Sequence, residues 1–161
     1  MRRAGVLLHP TALPGTPACG SLGRVAHAWI DALADQGIGA WQLLPLAPTD
    51  GTGSPYSSPS GFALNPWLLD GEQLVADGLL DHSDLEALPA DADPGQLNIP
   101  LAQRRADLLA EALQRRAPLW PQQQRQALAN WRAQQAFWLP DHCRFMVLRR
   151  LQQQRPWWEW P

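Results

Sequence analysis

Apolar residues change their spacing along this chain, and each change marks an element. Residues 4–8 form a short continuous apolar run that stops at His9-Pro10, which predicts a buried strand. From Arg24 the spacing lengthens. Val25, Ala28, Trp29, Ala32 and Leu33 recur at i, i+3, i+4, i+7 and i+8, with Arg24, His27, Asp31 and Asp35 on the opposite face, as in an amphipathic helix. Gly37 follows as the expected C-terminal cap, because glycine enters the left-handed conformation at little cost. Residues 39–46, GAWQLLPL, are a second apolar run of strand length. Strand, helix and strand in this order predict a βαβ unit with parallel strands and a right-handed crossover, hence an α/β fold.

After Pro66 the pattern turns helical. Asp70 and Gly78 bracket DGEQLVADG as N-cap and stop, and Ser83 with Glu86 has the spacing of a capping box. DADPGQ reads as a linker, and further helices are expected near 100–116, 122–138 and 141–154. Leu128, Trp131 and Trp138 in one helix, and Phe145, Leu148 and Leu151 in the next, read as stripes that face a core. The chain closes on PWWEWP with no element after it. A soluble domain rarely finishes on uncovered apolar surface, so the sequence reads as cut off.

Two long stretches do not fit either period. HPTALPGTPACGSLG and residues 47–66 both leave the carboxyl ends of the expected parallel strands, the edge at which α/β folds bind ligands. Loops of this length in compact domains are usually functional or disordered. The second holds the only tyrosine of the 161 residues, Tyr56, within GSPYSSPSGFALN.

Composition changes this picture in a few places. Apolar content of 45% against 17% charged describes a globular chain, and its length suits one domain with a real core. All thirteen basic residues are arginine. Residues 1–100 hold eleven acids and three arginines, and residues 101–161 four acids and ten arginines. No groove-reading motif accompanies the basic half, so those arginines read as solvated helix faces, not a nucleic-acid surface. Cys19 and Cys143 stand too far apart in sequence for a CxxC motif, which fits a reducing compartment. The amino-terminal apolar run is too short for a signal peptide and no stretch could span a membrane, so a cytoplasmic location is expected.

Familiar catalytic patterns are missing. GTGSP lacks the Lys-Ser/Thr of a phosphate loop, no GxGxxG follows the first strand, and no GxSxG elbow presents a nucleophile. His9, His27, His82 and His142 show no metal spacing. Asp50, beside glycine in the second loop, reads as a turn residue. Tyr56 is the better candidate. A flat ring with a hydroxyl, held between Pro55 and Ser57, suits stacking under a sugar ring, with Ser54, Ser57, Ser58 and Asn65 as hydrogen-bonding neighbours.

GVLLHPTALPG, GSLG, WQLLPLAPT, GSPYSSPSGFALNP and PWWEWP, in that order, resemble the amino-terminal third of the 4-alpha-glucanotransferases, the amylomaltases of glycoside hydrolase family 77. The resemblance implies the first part of a (β/α)8 barrel, residues 1–70, followed by a helical insertion subdomain, residues 71–161, in a truncated chain. It implies cofactor-free transfer of α-1,4-glucan segments between maltooligosaccharides by a retaining double displacement. The family's nucleophilic aspartate, acid/base glutamate and stabilising aspartate lie on later strands, so no acid of this chain is expected to be catalytic and no metal is implied. The family tyrosine that stacks on the donor sugar matches Tyr56, and the serine two residues earlier matches Ser54. Asn65 matches the Asn-Pro pair and looks like a brace for the loop. The chain departs from the family at the loop tip, DGTGSPY, which lacks an aromatic common there, at Leu64 in place of glycine, and through much of the helical part. Two functions follow: a segment of a glucanotransferase whose partner is the remainder of its own barrel, or a non-catalytic carbohydrate-binding or interaction module.

Overall fold

A computed structural model describes residues 4–14, 17–90 and 96–161. Strands β1 (Gly5–Leu7) and β2 (Ala40–Gln42) pair in parallel, with Gly5 opposite Ala40, Val6 opposite Trp41 and Leu7 opposite Gln42. Helix α1 (Arg24–Asp35) lies between them in sequence, so the expected βαβ order is present. Both strands are shorter than their apolar runs. The Leu8 N–H still donates to Gln42 O at 3.2 Å, and the Trp41 indole N–H donates to Leu8 O at 2.9 Å. The chain then bends into a 3-10 turn, Pro10–Ala12, whose proline has no N–H to extend the ladder. Residues 43–46 pair with no strand among the described residues.

The buried strand expected at residues 4–8 is not buried, since Leu7 is 53% exposed. Parallel sheets are normally covered on both faces. Among the described residues the sheet has two strands, too few to close over them.

Helix α1 ends in a Schellman motif. The Ile38 N–H reaches Leu33 O and the Gly37 N–H reaches Ala34 O, both at 2.9 Å, with Gly37 at φ 69°. Its buried residues are Leu33, from the expected stripe, and Ala26, from outside it; Ala28 and Ala32 are exposed. The difference begins at the helix start. The Leu22 N–H donates to Leu68 O at 2.9 Å, and Gly23 lies so close to Asp70 that a Cβ there would stand 2.1 Å from the carboxyl group. Asp70 also accepts the Ser21 hydroxyl at 2.5 Å and the Gln73 N–H at 2.9 Å, capping α2 (Gly71–Ala76) as expected.

The capping box expected of Ser83 and Glu86 is formed instead by Asp81 and Asp84, at the start of α3 (His82–Glu86). The Asp81 N–H donates to Asp84 at 3.0 Å, and the Arg116 guanidinium bonds Asp84 at 2.9 Å and also pairs with Asp81. That N–H, with the Arg116 and Arg115 guanidiniums, holds the Asp84 carboxyl below its usual range. The box thus forms two residues upstream of the expected one, where the Arg116 guanidinium pairs with both of its acids.

Helix α4 (Ile99–Arg116) is the spine of the core. Ala102, Ala106, Leu109 and Ala112 are its buried residues, at i, i+4, i+7 and i+10. Ala102 and Ala106 pack with Ala18, Cys19 and Trp67, while Leu109 and Ala112 pack with Leu80 and Leu88. The expected linker falls mostly on residues 91–95, outside the described residues.

The chain groups into two compact units, Met1–Trp120 and Pro121–Pro161. The second holds α5 (Gln122–Gln134) and α6 (Leu139–Leu151), neither of which has a buried residue. The stripes expected to face a core are largely open there: Trp131, Leu148 and Leu151 are exposed, and Leu128, Trp138 and Phe145 only half-buried. A unit this small cannot enclose them. Local pairs serve in place of a core. Trp138 stacks tilted on His142 at 5.6 Å and donates to Gln135 at 2.8 Å, and Phe145 meets Trp160 at 5.5 Å. Among the described residues no helix is long and apolar enough to cross a membrane.

Candidate functional site

The loop after β2 is irregular throughout, yet its backbone is tied. At its root the Asn65 N–H donates to Leu46 O at 2.7 Å. Further out, the Asp50 N–H donates to Ser57 O at 2.9 Å. Between Asp50 and Ser57 the chain makes two tight turns, with Gly53 N–H to Asp50 O at 3.1 Å and Ser57 N–H to Ser54 O at 3.2 Å. The Asp50 carboxylate accepts the Thr52 N–H at 2.8 Å and the Thr52 hydroxyl, so it works as a turn residue.

Tyr56 sits in the second turn and is 74% exposed. The Ser54 hydroxyl accepts the Tyr56 N–H at 3.4 Å, so Ser54 both shapes the turn and stands next to the ring's backbone. Ser58 and Ser60 are used locally. Ser58 donates to Ser60 O at 2.8 Å, and the Ser60 hydroxyl accepts the N–H groups of Phe62 and Ala63 at 3.2 and 3.0 Å.

Asn65 stands apart from this tip. It is 3% exposed, and its side-chain oxygen caps the 3-10 turn Pro66–Leu68 by accepting the Trp67 N–H at 3.0 Å. Its Nδ2 is buried with no partner among the described residues. The structure thus leaves Tyr56 exposed with the half-buried Ser54 bonded to its backbone, while the buried Asn65 caps the turn that follows the loop.

The loop after β1 contributes a residue whose role the sequence did not single out. His9 Nδ1 lies 2.7 Å from the Thr11 hydroxyl and Nε2 3.3 Å from Pro45 O, so the ring links the segments that follow β1 and β2. Burial lowers its pKa, against the Pro45 carbonyl, and favours the neutral ring. Cys19, deeper in the same loop, is not a nucleophile, since burial pushes its thiol up to about 11. His27 is exposed on α1. No group of three or more metal-binding side chains stands together among the described residues.

The first turn of α4 reaches both loops. The Asn98 N–H donates to Ala18 O at 2.8 Å, and the Ile99 side chain lies against Gly53. A cleft of about 420 Å³, lined by Gly51, Gln96, Leu97, Asn98, Ile99 and Pro100, opens here, and neither Tyr56 nor Ser54 lines it.

A family model described as 4-alpha-glucanotransferase matches residues 8–161. The chain is 37% identical over 160 residues to a 4-alpha-glucanotransferase of Thermus thermophilus, covering 99% of this chain and 31% of that protein. It is 33% identical over 159 residues to a 4-alpha-glucanotransferase of Synechocystis, covering 99% and 32%. Among solved structures, an amylomaltase from Streptococcus agalactiae in complex with acarbose superposes with a TM-score of 0.71 at 27% identity, over 99% of this chain and 32% of that one. The chain thus spans about a third of the length of the relatives it matches.

Proposed function

The chain belongs to the 4-alpha-glucanotransferase family, and from that premise we propose that it supplies one wall of the glucan cleft of a full-length enzyme. That enzyme transfers α-1,4-glucan segments between maltooligosaccharides with retention of configuration. Residues 1–70 contribute the first βαβ unit of a (β/α)8 barrel and residues 71–161 a helical subdomain. The nucleophilic and acid/base carboxylates come from the remainder of that barrel, so this chain alone is inactive. The complete protein works in the cytoplasm.

The observation that carries this reading is the exposure of Tyr56 on a loop closed by two backbone rungs, beyond the carboxyl end of a parallel strand. A ring held that way meets a pyranose face without first losing loop entropy, which is how a rigid aromatic contributes to binding. Ser54, next to it, offers a hydroxyl to the sugar rim. Asn65 takes part from the base, by holding the loop. The acarbose bound in the related amylomaltase supports a sugar as the occupant.

In the full-length protein carrying this segment, Tyr56→Ala is expected to raise KM for maltotriose by about tenfold, while Tyr56→Phe and Tyr56→Trp stay within about threefold. Unchanged KM and kcat in Tyr56→Ala would remove Tyr56 from the cleft. The non-catalytic alternative draws on the exposed Trp157 and Trp158, whose rings meet edge to face at 5.8 Å. It predicts saturable maltooligosaccharide binding by the 161-residue chain alone, weakened by Tyr56→Ala.

A further inference from the structure

Gly53 has φ 75°, in the left-handed region, and the space where a Cβ would stand is already taken. A Cβ there would lie 2.7 Å from Ile99 Cδ1 and 3.9 Å from Leu97 Cδ2. Glycine thus serves twice at this position, allowing the turn and admitting an isoleucine from far along the chain. The turn so held is linked to Tyr56 by short steps. Gly53 N–H closes on Asp50 O, Asp50 N–H bonds Ser57 O, and Ser57 N–H closes on Ser54 O around Tyr56. Ile99 itself is firmly seated. It packs on the core cluster of Ala18, Cys19, Trp67, Ala102 and Ala106, and it opens α4, whose N-cap Asn98 is fixed to Ala18 O.

We propose that Ile99 is a positioning residue for Tyr56: the first turn of α4 props the tip of the sugar-facing loop and sets the height of the tyrosine ring against the glucan. The helical subdomain thereby helps define a subsite that it does not touch. With Ile99 shortened, the Asp50–Gly53 turn loses its nearest support, the Leu97 side chain standing farther off, and Tyr56 samples poses that stack poorly. The inference rests on the reading of Tyr56 as a sugar-stacking residue, and the test separates the two.

Maltotriose disproportionation is measured in the full-length protein carrying this segment, as wild type, Tyr56→Ala, Ile99→Ala and Ile99→Val. Positioning predicts that Ile99→Ala raises KM by about three- to tenfold with kcat within about twofold, and that Ile99→Val returns most of the loss. In the double variant the two effects should not multiply, because both act through one ring. If Ile99→Ala lowers thermal stability and kcat but leaves KM unchanged, Ile99 is only a core residue and the proposal falls. It falls equally if the two KM effects multiply. If Tyr56→Ala leaves KM unchanged while Ile99→Ala raises it, the tyrosine reading fails, and Ile99 does not act through Tyr56.

Discussion

His9 shows how a single side chain can join two loops and make their junction respond to pH. Its ring fits between the Thr11 hydroxyl and the Pro45 carbonyl as a neutral imidazole, with one nitrogen accepting and the other donating. Protonation would leave two donors, one of them facing a hydroxyl that must then turn, inside a partly buried site that already disfavours charge. The folded pKa therefore lies below 6.5, the value for the unfolded chain. The sign follows from proton counting. Between the two pKa values the unfolded state binds more protons, so stability is complete above 6.5 and declines as pH falls through the folded value. In the full-length protein, an NMR titration of the His9 ring should show its proton uptake below 6.5, and His9→Gln should lessen the loss of thermal stability between pH 7.5 and 5. His142, lowered by burial beside Trp138, adds to the same slope. A His9 titration at or above 6.5 would show that the junction does not exclude charge.

At the scale of elements, two glycines at the ends of α1 separate what a sequence can tell from what it cannot. Gly37 sits at φ 69°, and a Cβ there would meet nothing within 4 Å. Gly37→Ala should therefore cost only the left-handed conformation, about 1 kcal/mol. At Gly23 a Cβ would meet the Asp70 carboxyl group, which holds Ser21 and caps α2, so Gly23→Ala must displace a shared anchor. Its expected cost is about 2–3 kcal/mol, read as a lower thermal midpoint than Gly37→Ala in the same protein. Equal midpoints would mean that Asp70 moves aside freely. Gly37 is legible because a stop lies where the helical period ends. Gly23 is not, because its partner lies far along the chain and no local spacing shows it. The same limit explains the rest. Tyr56 stood out as the only tyrosine on a structureless loop, while Ile99, just ahead of the helix expected at 100–116, carried no local signal. The box expected at Ser83 forms at Asp81, where Arg116, out of local view, pairs with both of its acids. Trp131, Leu148 and Leu151 announced an apolar face but not what covers it.

That uncovered surface governs the molecule as a whole. In the first unit Leu7 on β1 and Ile30 on α1 are exposed, and in the second so are Trp131, Phe137, Val147, Leu151, Trp157 and Trp158. Scattered apolar residues on a surface are ordinary. Here, however, the two-stranded sheet leaves outer strand edges unpaired among the described residues, and an unpaired edge beside exposed aliphatic side chains is a template for association. The second unit has less to set against this, because neither of its helices buries a residue. Its arginines, six between 121 and 161 against two acids, give it a positive charge that slows association at low salt and does less once screened. The 161-residue chain on its own is therefore expected to bind the dye ANS, to sediment as a mixture of species whose mean size grows with concentration, and to associate further as salt is raised. Heating should give a broad transition, since Pro121–Pro161 lacks a core whose loss would be cooperative. A monomer with a single sharp thermal transition and no dye binding would show that these faces are not open in solution.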